Sequence, residues 1–182
     1  MPSLQRADDR FGTALTILEG GSGQFTGVVT EPNQGEVPAY LFNLPRRLLR
    51  VDAQLPLKAG MVIRASAGTT WMLGEHGDAE TNRGVLFRSF VMFEATQKFT
   101  WKKRGKTIDP VTKLERDTGL VDQPAIWGCY EPSPEMFDKQ LHSNFETARL
   151  ITTADVQRDD VVNGMKVNRV DMQLGVRIVT LG

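Results

Sequence analysis

Residues 158–182, RDDVVNGMKVNRVDMQLGVRIVTLG, decide how the rest of the chain is read. Asn163-Gly164 stands between the apolar runs DVV and MKV. That dipeptide predicts a type I′ hairpin turn, because both central residues must tolerate positive φ. Beyond it Val170, Met172, Leu174, Val176 and Ile178 alternate with Asp171, Gln173, Gly175 and Arg177. A period of two places one face against a core. The stretch is one half-buried strand or two strands broken at Gly175. Either way its apolar face requires a second layer to cover it.

The same unit has an echo about a hundred residues earlier. LKAGMVI at 57–63 parallels VQRDDVV at 156–162, and each precedes a Gly-containing turn and another strand. An internal duplication explains this, and so does the tendency of β hairpins to look alike.

Working outward, FGTALTIL, QFTGVVT and PAYLFN read as short strands separated by GGSG at 20–23 and by the turn cluster EPNQGEVP. MVIRAS and TTWML flank another Gly-containing turn and predict a hairpin. In VLFRSFVMFEA, from Val85, one face carries Val85, Phe87, Val91 and Phe93. The opposite face carries Leu86, Arg88, Phe90, Met92 and Glu94, so both faces are partly apolar. A strand apolar on both faces belongs inside a sheet or at an interface.

Residues 97–124, KFTWKKRGKTIDPVTKLERDTGLVDQP with the preceding Gln97, are highly charged and broken by Arg104-Gly105, Asp109-Pro110 and Thr118-Gly119. They predict a protruding hairpin or long loop, the kind of excursion that is usually functional or disordered. Helix signals gather at about 133–147. Ser133 serves as N-cap, Pro134 and Glu135 suit the first turn, and Met136, Phe137, Leu141, Phe145 and Ala148 share a face. The expected fold is therefore mainly β: a small β-barrel or sandwich with one appended α-helix and a long charged hairpin. Residues 1–10 form an N-terminal arm and 11–182 a single β-rich domain.

Bulk properties narrow the function classes. Lys plus Arg and Asp plus Glu both number 22, so the net charge is zero. A protein that coats nucleic acid over its whole surface would be basic. A neutral surface favours association, which suits an assembly subunit. Cys129 is the single cysteine, so no intrachain disulfide forms and a reducing compartment fits. MPSLQRADDRFG lacks the apolar core of a secretory signal, and no run approaches the roughly 18 apolar residues of a membrane helix. No membrane partner is expected.

Candidate chemistry is sparse. His76 lies in the polar stretch GEHGDAE beside Glu75, Asp78 and Glu80, a weak ion site at best and more simply a solvated turn. His142 falls on the expected helix. EGGSGQ is Gly-rich but returns to β structure, so it lacks the helix N-terminus that binds phosphate. Cys129, in AIWGCYEP, reads as a buried structural thiol. The pairs Asp8-Asp9 and Asp159-Asp160 sit where turns and termini want polar groups. No nucleophile elbow, P-loop, dinucleotide fingerprint or HExxH run occurs. The expectation is no catalysis, no metal and no cofactor. The most suggestive polar run is FTWKKRGK. Trp101, Lys102, Lys103, Arg104 and Lys106 could meet phosphates and stack on a base, or form a solvated hairpin tip balanced by Asp109, Glu115 and Asp117.

The closing stretch ARLITTADVQRDDVVNGMKVNRVDMQLGVRIVTLG resembles head–tail connector (neck) proteins of tailed bacteriophages, of the stopper (head-completion) or adaptor type. The resemblance lies in the polar residue and Asp before an apolar pair, the Gly turn and the following V-x-x-V strand. KAGMVIRASAGTTWML has a related shape, and about 35 residues carry the match. It implies a structural virion protein, made in the host cytoplasm and placed in the neck, forming a ring commonly of six or twelve copies. Such a ring joins the capsid portal to the tail and helps retain packaged double-stranded DNA. Its partners are copies of itself, portal or adaptor proteins and tail proteins. The implied channel contacts are Trp101, Lys102, Lys103, Arg104 and Lys106. For docking, the resemblance points to residues 1–10 and the Gly20–Gly23 loop. A different tail or baseplate subunit, or a small nucleic-acid-binding barrel built around Trp101, are the competing readings.

Overall fold

The computed structural model describes residues 12–32, 46–81, 84–131 and 148–182. All of its regular structure is β: β1 (Gly12–Glu19), β2 (Gln24–Thr30), β3 (Arg46–Asp52), β4 (Val62–Ala65), β5 (Thr70–Thr81), β6 (Gly84–Glu94), β7 (Gln97–Ile108), β8 (Glu115–Glu131), β9 (Ala148–Thr152), β10 (Val161–Val162), β11 (Met165–Gln173) and β12 (Val176–Leu181). Every strand pairing is antiparallel, as short turns between successive strands require. The PAYLFN strand, the N-terminal arm and the helix expected at about 133–147 lie outside the described residues.

The strands close into two barrels, not a sandwich. One has the cyclic order β1-β2-β3-β6-β5-β4 and the other β7-β8-β9-β12-β11-β10. Closure gives each strand two neighbours and removes the open edges that invite aggregation. The sequence reading put 11–182 in one domain. The chain instead divides into two compact units, Met1–Thr96 with Met172–Val176, and Gln97–Asp171 with Arg177–Gly182. The reason is that each barrel satisfies its own ladder and fills its own interior.

In the first unit Leu15, Leu49, Val51, Leu57, Ile63, Leu73, Phe90 and Met92 form the core. In the second, Phe99, Trp101, Ile126, Leu150, Val156, Val162, Val167, Val179 and Leu181 do so. Each fully buried side chain of this size contributes about 1.5–3 kcal/mol, so either cluster can hold a small barrel without a staple. β6 is flanked by β3 and β5, and from Phe90 to Phe93 it is buried on both faces, as its two apolar faces predict.

The hairpin signals hold. Asn163 and Gly164 have φ of 48° and 81°, both positive as the type I′ turn demands. Leu174 and Gly175, at 49° and 73°, break the alternating stretch into β11 and β12.

The two barrels are copies of one design. Counting six strands from β1 and six from β7, the cyclic order is the same. The echo in the sequence falls on one topological position, the connection from third to fourth strand. Leu57 and Val156 are both buried there at 1% exposure. Three residues on, Gly60 and Asp159 both take positive φ, 92° and 71°. The Gly60 N–H donates to the Leu73 carbonyl at 2.8 Å, and the Asp159 N–H to that of Val167 at 2.9 Å. In return Leu73 N–H reaches the Met61 carbonyl at 2.9 Å, and Val167 N–H that of Asp160 at 2.8 Å.

A pair of glycines repeats too. A Cβ on Gly27 would meet Leu49 Cδ1 at 2.7 Å and the Arg50 carbonyl oxygen at 3.3 Å. A Cβ on Gly128 would meet Leu150 Cδ1 at 2.8 Å and the Ile151 carbonyl oxygen at 2.8 Å. In both barrels the second strand approaches the third so closely that only hydrogen fits.

Candidate functional site

Superposing the two repeats by register shows where they differ. Ile17 pairs with Ile63 on the fourth strand of the first barrel, and Trp101 pairs with Val162 on that of the second. Phe25 pairs with Leu15, and Ile126 with Phe99. Ile17 thus answers to Trp101, a shift of 84 positions, and Phe25 to Ile126, a shift of 101. The first hairpin of the second barrel is longer by the difference, 17 residues.

In the first barrel the hairpin turns at once: Gly20 and Gly23 have positive φ, and the Ile17 N–H reaches the Gly23 carbonyl at 3.0 Å. This is the loop the sequence marked as a hairpin tip. In the second, β7 and β8 stay paired from Gln97–Gly128 to Ile108–Glu115. The six residues from 103 to 108 span about 20 Å at the usual rise per residue. Among the described residues β7 meets β10 only at Trp101 and Lys102, and β8 meets β9 only at 128–131. Beyond those points Lys103 and Arg104 still reach Asp155 and Asp160, and from Gly105 outward the two strands have no strand partner but each other among the described residues. The charged excursion is therefore a regular two-stranded arm rather than a loop.

The tip is a built turn. Asp109 Oδ1 accepts the Val111 and Thr112 N–H groups at 2.8 and 3.0 Å, and its Oδ2 lies 2.6 Å from Arg116 Nη2. These bonds, the Thr112 and Val111 amides first, hold the Asp109 carboxyl below its ordinary pKa of 3.8. Lower down, Asp117 Oδ1 accepts the Gly119 N–H at 2.8 Å. Gly119 takes a φ of 87° and the register shifts between Gly105 and Lys106, a bulge that adds twist. The arm also exposes apolar side chains. Ile108, Val111 and Leu114 at the tip are 64%, 86% and 67% exposed, with Leu120 and Val121 half-exposed below them.

Trp101 belongs to the core of the second barrel at 9% exposure, not to a solvent-facing stacking platform. Its indole N–H donates to Asp160 Oδ2 at 3.0 Å, and Lys103 Nζ lies 5.8 Å from the centre of its ring. No face is left for a base to stack on. The four cations are exposed or half-exposed, and each has a carboxylate. Lys102 pairs with Asp122 at 3.2 Å, Lys103 with Asp155 at 3.2 Å, Arg104 with Asp117 at 2.7 Å and Lys106 with Glu115 at 3.1 Å. The structure gathers Lys102, Arg104 and Lys106 in one column, since they alternate along β7. On β8 Asp122 stands opposite Lys102 and Asp117 opposite Lys106, while Arg104 faces Leu120, so Arg104 and Lys106 reach Asp117 and Glu115 diagonally. Exposed pairs like these contribute at most about 1 kcal/mol each, but they cancel the field that phosphates would feel.

Asp160 is the residue whose importance the sequence did not reveal. It is 1% exposed. Its carboxylate accepts the Trp101 indole, the Gln157 N–H at 2.9 Å and the Arg104 N–H at 2.9 Å. It ties the third-to-fourth strand connection to the root of the arm. Asp155 performs a lesser version, pairing with Arg177 at 2.6 Å as well as with Lys103. The available signal was the position of Asp160 directly before an apolar pair.

Cys129 is buried, in line with a structural thiol. Glu75 is exposed on β5, His76 lies on the same strand, and His142 lies outside the described residues. Among the described residues no group of three or more His, Cys, Asp or Glu side chains could hold a metal ion. No family model, no curated protein and no solved structure matches this chain.

Proposed function

We propose that this chain is a structural subunit that forms a ring in the head–tail connector of a tailed phage, joining portal to tail and helping retain packaged DNA. The observation that carries this reading is the arm. The first barrel closes with a short turn at the same place, so barrel stability does not require the 17 extra residues. They carry an apolar tip into solvent, where solvation gives no reason for Ile108, Val111 and Leu114. A protein surface that covers them does. The neutral chain and the paired charges on the arm also suit protein partners better than a polyanion.

The helix over about 133–147 is proposed as a further element of the same subunit, flanking β8 and β9 in sequence. DNA retention in this reading depends on the closed ring and its diameter more than on Lys102, Lys103, Arg104 and Lys106, whose charges are already matched. A free-standing nucleic-acid-binding barrel is disfavoured by the burial of Trp101.

The test is assembly. Sedimentation and negative-stain microscopy of the purified chain, alone and with an isolated portal ring, should show rings or a ring stacked on the portal. A chain that stays monomeric in both conditions, yet binds an oligonucleotide at low salt, would replace this reading with the nucleic-acid one.

A further inference from the structure

We infer that the β7–β8 arms of neighbouring copies add edge to edge, β7 of one copy against β8 of the next, so that the arms build one continuous antiparallel sheet around the ring. The inference rests on the ring reading above and specifies which surface makes the ring.

Three observations lead to it. The first is the open edges. Each barrel is closed, but among the described residues the arm has no strand neighbour beyond Lys102 on one side or before Gly128 on the other, and past Arg104, whose N–H is held by Asp160, the β7 edge is open. Unpaired strand edges recruit other strands.

The second is charge. On one face β7 presents three cations, Lys102, Arg104 and Lys106, ahead of Ile108 near the tip. On the same face β8 presents Asp122, Asp117 and Glu115, with Leu120 between Asp122 and Asp117. A two-fold contact would set β7 against β7 or β8 against β8. That places cation beside cation or carboxylate beside carboxylate, which opposed strands disfavour. A head-to-tail contact sets the basic column of one copy beside the acidic column of the next. Every column is then flanked on both sides by the opposite sign, and the ladder seen within one arm continues across the joint. An interface that joins different surfaces of identical subunits closes into a ring or extends as a helix, never into a two-fold dimer.

The third is strand direction. In copies arranged around an axis all arms point the same way. The outer edge of β7 then lies antiparallel to the outer edge of the neighbour's β8, the same pairing as within the arm. The occupant of the open edge is thus a second copy of this chain. A nucleic acid would be drawn to the β7 column but repelled by β8.

The experiment uses the full chain and two sets of charge reversals. Lys102→Glu with Lys106→Glu leaves Arg104 between two carboxylates in the β7 column, beside the acidic β8 column. This double variant should sediment as a protomer under conditions where the wild type forms rings. Adding Glu115→Lys and Asp122→Lys reverses the Lys102–Asp122 and Lys106–Glu115 pairs and keeps Arg104–Asp117, so every pair again joins opposite signs and the quadruple variant should recover rings. A third variant replaces residues 105–119 with a short turn like that of the first barrel. It should be folded by near-UV circular dichroism and remain a protomer, which keeps the inference testable if the charge variants misfold. Rings that persist in the double variant, or a quadruple variant that stays a folded protomer, would each overturn the arm pairing while leaving the ring reading intact, whereas two-fold dimers in place of rings would overturn both. A wild-type chain that forms no ring alone or on a portal would overturn both.

Discussion

The indole N–H of Trp101 and the carboxylate of Asp160 meet at 3.0 Å inside the second barrel, both residues almost completely buried. The first barrel has Met61 where the second has Asp160, so the bond is an addition to a turn that closes without it. Asp160→Ala leaves the Trp101, Gln157 and Arg104 donors without an acceptor. The expected cost is about 3 kcal/mol on unfolding of the second barrel, since each stranded buried donor costs about 1–3 kcal/mol and part of that is recovered by water. Denaturant titration followed by tryptophan fluorescence measures it. A loss below about 1 kcal/mol would mean that the carboxylate merely decorates the turn. Asp160→Asn keeps one acceptor and should cost less.

The paired glycines predict parallel damage in the two units. Gly27→Ala drives a methyl into Leu49 and Val51 side chains, which can shift a little. Gly128→Ala drives it against the Ile151 carbonyl oxygen at 2.8 Å, which is fixed by the ladder, as well as against Leu150 and Phe99. Overpacking of this kind costs about 1–3 kcal/mol, and Gly128→Ala belongs at the upper end. Thermal melts of the two variants should show Gly128→Ala as the more harmful. Equal and negligible effects would remove the claim that the two strand crossings are equivalent.

The β class was legible because short apolar runs lie between turn signals and alternation is plain in stretches such as Val170 to Ile178. The number of barrels was not legible. What the repeats share is conformation rather than residue type: a positive φ is occupied by Gly60 in one and Asp159 in the other, so the letters disagree where the backbone agrees. Trp101 is buried although a run of cations follows it. Its spacing from Phe99 already marked an inward-facing pair on one strand, and that period of two was the stronger evidence. The arm was legible as an excursion, but its regular pairing depends on cross-strand partners, most of them more than ten residues apart, which no local pattern displays.

Acid should loosen the tip of the arm as the pH falls below the ordinary carboxylate range. The Asp109 carboxyl is held below 3.8 by the Thr112 and Val111 amides, with Arg116 adding to them. A group whose folded pKa is depressed stabilises its turn above the ordinary value and loses that contribution as pH falls through the depressed one. Asp159, held down first by its hydrogen bond from Lys166, follows the same sign at the base of β10. Carboxyl-detected NMR should place the Asp109 midpoint below 3.8, with the Val111 and Thr112 amide shifts moving together with it. A midpoint at or above 3.8 would mean that the turn does not hold the ionised form. Asp109→Asn should abolish the pH dependence of those two amides while preserving the turn.

The tip itself should matter to partners and not to the fold. Val111 is 86% exposed, so Val111→Asp removes almost no buried area and should change unfolding free energy by no more than about 0.5 kcal/mol. If the tip seats in an adjoining ring, the same change places a charge in an apolar contact, and binding to an isolated portal ring should fall at least about tenfold, the equivalent of about 1.4 kcal/mol. Ile108→Asp is a second probe on the same tip, with Thr107→Asp as a neighbouring exposed control of equal charge. Surface plasmon resonance against the immobilised portal reads all three. Equal affinity for wild type and both apolar variants would leave Ile108, Val111 and Leu114 without a partner there, and the arm would then act through its edges alone.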